Sequence, residues 1–267
     1  MARRRKKKKR TVVDSAAKNA ASITDGCNPE LVVDAKFDGI FEIPIIKKPK
    51  KIIIPDNLVP FSKMEKADPQ SFAVCEYEND KNFKDILEHP DTYAELLKKY
   101  QGFISPDCSI YRDMPLAMQI TNIYRNRAIG YYFQKQGIYV IPNVRWGDER
   151  TYTRKVLPEK IAFSGVAKNS IVSVGAYGQL KDRVNRYYFE AGLDSFREKF
   201  RDYPECYTVI GGTACDILME EENYSFRATK DIDMTLILED RTPEFAGKSM
   251  KARPKIIGME RNRGEAK

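Results

Sequence analysis

The chain has 267 residues, 42% hydrophobic and 11% aromatic, enough for one large packed domain or two small ones. Its formal net charge of +8 is unevenly placed: residues 3–10 and 241–267 are basic, whereas residues 11–240 hold 30 basic against 35 acidic side chains and are net −5. Five cysteines (Cys27, Cys75, Cys108, Cys206, Cys215) without a C-x-x-C pair exclude a disulfide framework and a zinc site and point to a reducing compartment, the cytoplasm. No apolar run approaches the roughly 20 residues that span a bilayer, so no membrane association is expected.

In chain order, Arg3, Arg4, Arg5, Lys6, Lys7, Lys8, Lys9 and Arg10 form an unbroken positive block. Like charges repel, so residues 1–28 are expected to be a disordered arm. Three readings of the block stand side by side. It is a tether for DNA or RNA, where each Lys or Arg on a phosphate releases counterions, or a solubilising tail, or a contact for another anionic surface. Thr11 to Gly26 is polar and lacks the apolar stretch of a secretory leader. Residues 37–46 and 51–54 suit short extended segments, interrupted by Pro44, Pro49 and Pro55. Residues 71–77 are strand-like. Helices are expected near 81–88 and 91–101, the second opened by Pro90 and closed by Gly102. His89, the single histidine, reads as a surface residue before that helix.

From residue 102 the pattern alternates. Apolar runs at 102–105, 138–142, 170–174 and 207–210 each end in proline, asparagine or glycine. Helices are expected between them, from Asp113 and Pro115 to about Gln136, and from about 180 to 200. Strands alternating with helices give an α/β fold, a mainly parallel sheet with covering helices, followed by an irregular basic tail over 241–267.

In such sheets ligands bind outside the carboxyl ends of the strands. That rule collects Asp107, Arg112, Asp113, Asn143, Arg145, Trp146, Asp148, Glu149 and Tyr177 as a candidate ligand site for a sugar, a nucleotide or a single strand. Several have structural readings beside the functional one. Asp113 is placed to cap a helix. Arg112, Arg125 and Arg127 are candidate ion-pair partners for Asp107 or Asp148. Trp146 either stacks on a ligand ring or fills the core. The pairs Tyr131-Tyr132 and Tyr187-Tyr188 read as core and rim.

Two resemblances add to this. The strings Ser105-Pro106-Asp107-Cys108-Ser109-Ile110-Tyr111-Arg112-Asp113-Met114-Pro115, Gln119-Ile120-Thr121-Asn122-Ile123-Tyr124-Arg125-Asn126-Arg127-Ala128 and Val140-Ile141-Pro142-Asn143-Val144-Arg145-Trp146 resemble a bacterial and phage family known only as domain of unknown function 4417. The likeness spans about residues 70–200 and implies a phage or mobile-element setting, with no activity attached. The second covers about residues 206–239. Gly211-Gly212-Thr213 follows an apolar run, and Asp231 and Asp233 sit two apart before Met234, on one side of an extended strand. This resembles the AbiEii-like toxin group of nucleotidyltransferases. The resemblance implies nucleoside-triphosphate binding at Gly211, Gly212 and Thr213, weak Mg²⁺ binding by Asp231 and Asp233, and transfer of a nucleoside monophosphate to RNA or protein. The third carboxylate usual in that superfamily has no counterpart here, so the pair reads as vestigial. The chain thus divides into an arm (1–28), an α/β domain (29–202), a partial transferase-like segment (203–240) and a tail (241–267).

Overall fold

Short apolar runs bounded by turn residues do become strands. The computed structural model describes residues 27–175, apart from 54, 56, 68, 70, 71, 76, 168 and 169, together with 183–199 and 234–238. A small antiparallel hairpin comes first, β1 (Phe37–Asp38) against β2 (Ile43–Pro44). Ile46 then bridges to Val166. The main sheet follows: β3 (Asn57–Pro60), β4 (Phe72–Cys75), β5 (Gly102–Ile104) and β6 (Val140–Ile141), all parallel and lying side by side in chain order. A second sheet pairs β7 (Asn143–Val144) in parallel with β8 (Ile171–Gly175), and β8 antiparallel with β9 (Met234–Leu238). β6 and β7 are separated by Pro142 alone. Proline has no N–H to give a ladder, but its carbonyl accepts from the Ser173 amide at 2.9 Å, so the two sheets join at that residue.

The connections carry α1 (Lys84–Glu88), α2 (Ala94–Leu97), α3 (Leu116–Lys135), α4 (Glu149–Tyr152) and α5 (Arg183–Lys199). Among the described residues no helix is long and apolar enough to cross a membrane. Side chains alternate along each strand, and the register turns this into rows across the sheet. Val59, Val74, Phe103 and Val140 are register partners in one row. They pack in one cluster with Phe83, Ile86 and Leu97 of the helical layer and with Ala128, Ile129 and Phe133 of α3. Ile104 and Ile141 point the other way and cluster with Tyr77 and Ile171. Val144, Val172 and Val174 pack against Phe189, Leu193 and Phe196 of α5.

Two glycines have a clear physical need. Gly137 has φ +87°, ending α3 where its amide returns to the Gln134 carbonyl at 3.0 Å. Gly192 of α5 lies against the Trp146 indole, and a Cβ there would fall 2.0 Å from Nε1.

Some expectations change. Asp113 does not cap α3: the capping position is Pro115, with no side-chain hydrogen bond, and Asp113 lies exposed upstream of it. The expected helices near 81–88 and 91–101 are each split, with 3₁₀ turns at Asp80–Asn82 and Pro90–Tyr93 preceding short α-helices. β3 and α4 lie where no regular element was expected. Strand β9 coincides with the apolar run after Asp233. The basic arm, Tyr177, Gly211, Gly212, Thr213, Asp231, Asp233 and the tail lie outside the described residues.

Candidate functional site at the strand ends

Four strands, two from each sheet, bring polar side chains together where the sheets join. Tyr77 follows β4, Asp107 follows β5, Asn143 lies in β7 with Arg145 just beyond it, and Ser173 belongs to β8. Period-two alternation puts Asn143 and Arg145 on one side of their strand. Asp107 is 2% exposed and Arg145 9%. The Asp107 carboxylate accepts from Asn143 Nδ2 at 2.7 Å and from the Arg145 guanidinium. Tyr77 donates to Asn143 Oδ1 at 3.1 Å and shares a further hydrogen bond with Ser173 Oγ. Burial pushes the Asp107 carboxyl above its ordinary value, against the opposing pull of Arg145 and Asn143. Arg145 Nε is buried without a partner among the described residues.

The network continues into α3. Ser105 Oγ accepts from the Asn143 amide at 2.8 Å and donates to Asn126 Oδ1 at 3.0 Å. Arg127 is wholly enclosed and donates to the carbonyls of Asn143 (2.5 Å), Ser164 (3.0 Å) and Ala162 (3.2 Å), and to Asn126. Burial lowers its pKa to about 9, with Asp38 acting to raise it. Arg127 thus fastens α3 to β7 and to the 161–165 loop. It is not an ion-pair partner of Asp107 or Asp148, which pair with Arg145 and Arg150 respectively. Arg125 instead donates to Asn122 Oδ1 at 3.0 Å, and Arg112 to Asn185 Oδ1 at 3.2 Å.

Outside this closed layer lies an open one. Asp148 caps α4, accepting from the Arg150 amide at 2.9 Å. The same carboxylate takes Arg150 Nε at 2.9 Å and Nη2 at 2.6 Å, a bidentate pair, and Gln119 Nε2 at 3.2 Å. Burial tends to raise the Asp148 pKa, but the Arg150 bonds outweigh it and the net shift is downward. Arg150 Nη2 also reaches the carbonyls of Arg112 (3.2 Å) and Met114 (3.0 Å). Asp80 grips the same loop, accepting from the Ser109 amide at 3.0 Å and hydroxyl at 2.6 Å. The result is an open cleft of about 230 Å³ lined by Arg112, Asp148, Glu149, Arg150 and Tyr188. Glu149 is exposed and pairs with Lys155 at 3.3 Å.

Trp146 is a packing residue. It is 3% exposed, stacks on Phe189 with centroids 5.5 Å apart, meets Phe163 edge-on at 6.0 Å, and donates Nε1–H to the Tyr188 carbonyl at 3.2 Å. Tyr131 is buried and Tyr132 packs partly buried against the core, whereas Tyr187 stands in solvent. The strand-end rule missed Tyr77 and Ser173. Applied to the ends of the strands over 71–77 and 170–174, it would have collected both.

A second open hollow, of about 680 Å³, lies between α5 and the loop after α4. Its Lys160 is engaged by Ser195 Oγ (2.9 Å) and Glu198 (3.1 Å). Among the described residues, Asp85, Glu88 and His89 bring one ligand atom each within 4.8 Å. Asp85 already accepts from Tyr93, and Glu88 pairs with Lys84 at 2.9 Å.

A family model for Domain of unknown function (DUF4417) matches residues 35–224, more than half of the chain. The chain belongs to this family. Within the match fall the whole closed network and the open cleft. The match begins well before residue 70 and runs past residue 202, so Gly211, Gly212 and Thr213 fall within it. Two curated relatives are phage proteins. The Gene 1 protein of Mycobacterium phage D29 is 26% identical over 162 residues, covering 60% of this chain and 57% of that protein. The Gene 1 protein of Mycobacterium phage L5 is 30% identical over 115 residues, covering 43% of this chain and 47% of that protein. The chain thus spans about half the length of these relatives. No solved structure matches it. Neither relative is named as a nucleotidyltransferase, and the resemblance to AbiEii-like enzymes gains no support from them.

Proposed function

We propose that this family member is a nucleic-acid-associated protein of a phage or mobile element, held to DNA or RNA by its basic arm and working in the cytoplasm. The observation that carries the reading is the unbroken run of eight cationic side chains over residues 3–10, attached to a stretch, 11–240, that is net −5. A mildly acidic body is repelled by polyphosphate, so attraction concentrates in the basic ends, most densely in the arm with its eight contiguous positive charges. Each arm contact releases counterions, which makes the affinity steeply salt-dependent. The division into an arm (1–28), a domain (29–202), a following segment (203–240) and a basic tail (241–267) belongs to the same reading. The test is fluorescence-anisotropy titration of a labelled oligonucleotide at several salt concentrations. Deleting residues 1–10 weakens binding more than roughly tenfold at physiological salt and flattens the salt slope. Equal affinity with and without the arm refutes it.

The second reading is a nucleotidyltransferase, favoured by the Gly211-Gly212-Thr213 string and the Asp231-x-Asp233 pair. Two carboxylates without a third ligand hold Mg²⁺ weakly and leave it largely hydrated, so the expected activity is nil. The assay is incorporation of labelled nucleoside monophosphate into RNA or protein with Mg²⁺ or Mn²⁺. Incorporation by the natural chain that vanishes on changing Asp231→Asn and Asp233→Asn together makes this reading the right one.

A further inference from the structure

Large apolar side chains stand in water around the strand-end cleft. Tyr187 is 65% exposed and Tyr111 52%, and Val184 of α5 and Met118 of α3 are exposed as well. These residues come from three segments that meet there. Arg112, next to Tyr111, donates to Asn185 at the start of α5. Arg150 of α4 holds the carbonyls of Arg112 and Met114, just before α3. The Tyr187 ring touches that of Tyr188 with centroids 5.4 Å apart and planes at 81°, and Tyr188 lines the cleft with Arg112. The local charge is also informative. Asp148 is neutralised by the bidentate Arg150, and Glu149 pairs with Lys155. The Arg112 guanidinium bonds a neutral amide, and it has no carboxylate partner among the described residues.

We infer that this rim is a binding platform for single-stranded nucleic acid, with bases stacked on Tyr187 and Tyr111 and the adjoining phosphate on Arg112. The inference rests on the nucleic-acid reading of the arm and adds what the arm lacks, a reason to prefer unpaired strands. An exposed aromatic face stacks on any base and tolerates any sequence, whereas a duplex keeps its base faces covered. A guanidinium beside the rings supplies the phosphate contact in a planar, two-pronged form. Loop 105–115 is fixed by Asp80 at Ser109 and by Arg150 at Arg112, and Tyr187 is carried by α5, tied to that loop through Arg112 and Asn185.

The test uses the full chain and three labelled 20-mer probes: oligo-dT, a duplex, and an abasic deoxyribose-phosphate strand. Tyr187→Ala and Tyr111→Ala are surface changes that leave the fold intact, which circular dichroism verifies. Each should weaken oligo-dT binding roughly fivefold to a hundredfold, the range of one lost base stack. Tyr187→Phe should restore binding, because the ring is kept. Duplex and abasic affinities should not move. Arm deletion should weaken all three probes alike. Oligo-dT affinity within twofold of the natural chain for both alanine variants, with the arm effect intact, overturns the platform and leaves the arm reading standing. Tyrosine-dependent binding that ignores the arm does the reverse. Absence of binding to every probe overturns both.

Discussion

Among the described residues, Asp107 and Arg145 form the one ion pair in the strand-end site with both partners almost wholly out of water, at 2% and 9% exposure. Consider Arg145→Met, which keeps the length and apolar body of the side chain and removes the charge. Asp107 is then left with a single neutral donor, Asn143 Nδ2 at 2.7 Å. Removing one partner of a buried pair typically costs about 3–5 kcal/mol, because the other charge stays desolvated. With a urea m-value of about 2 kcal/mol/M, a loss of about 4 kcal/mol moves the midpoint down by roughly 2 M. The loss has a pH signature. In the natural chain burial already raises the Asp107 carboxyl above its ordinary 3.8, and removing the arginine raises it further. An acid whose folded pKa is raised contributes stability that is full below its unfolded value and is lost as pH climbs through the folded value. The Arg145→Met defect should therefore be largest at pH 8 and shrink toward pH 4. Replacing both partners, Asp107→Leu with Arg145→Met, should recover part of the loss, less the cost of leaving buried Asn143 Nδ2 without its acceptor. The assay is urea denaturation followed by circular dichroism at pH 4, 6 and 8. A defect under about 1 kcal/mol at pH 8, or one that does not vary with pH, refutes the reasoning.

Trp146→Ala should destabilise by about 3–5 kcal/mol, seen in thermal melts, while the fluorescence of the natural chain stays unchanged on adding oligonucleotides, since Trp146 is buried. Gly192→Ala should cost about 1–3 kcal/mol by the same measurement, because its Cβ would meet the indole at 2.0 Å. Tyr77→Phe keeps the ring but deprives Asn143 Oδ1 and Ser173 Oγ of a buried partner, with an expected loss of about 1–3 kcal/mol in urea midpoints.

Much of the layout was legible because its signals are local. The helix expected over 113–136 is α3, Leu116–Lys135, and its end at Gly137 is marked by the residue that tolerates positive φ. β5 and β8 were readable as apolar runs with punctuation after them. β3 was not, since Asn57-Leu58-Val59-Pro60 offers two apolar residues and its existence depends on β4 pairing with it. The same limit applies to the site. Asn143, Arg145 and Asp107 were collected by one rule about strand ends. Which arginine meets which carboxylate was not decidable, because Asp107 and Arg145 lie 38 positions apart and only the strand order brings them together. Trp146 was ambiguous for the same reason: its partners Phe163 and Phe189 lie in later segments.

The junction at Pro142 bears on how the molecule opens in time. The backbone ladder passes from β5 to β8 through a residue with no amide proton, so continuity there is entrusted to the Ser173–Pro142 bond and to side chains, chiefly Arg127 on the Asn143 carbonyl and Tyr77 on Ser173. Two apolar clusters flank that residue, one built on Val59, Val74, Phe103 and Val140, the other on Val144, Val172 and Val174 with α5, and a third, Ile104 and Ile141 against Ile171 of β8, spans it. Amide protons of β8 and α5 can exchange by excursions that leave β3 to β6 folded, and the polar stitches across the junction set how rare those excursions are. Together with the Ile104–Ile141–Ile171 contact, the strand-end groups thus also act as a latch between the two halves.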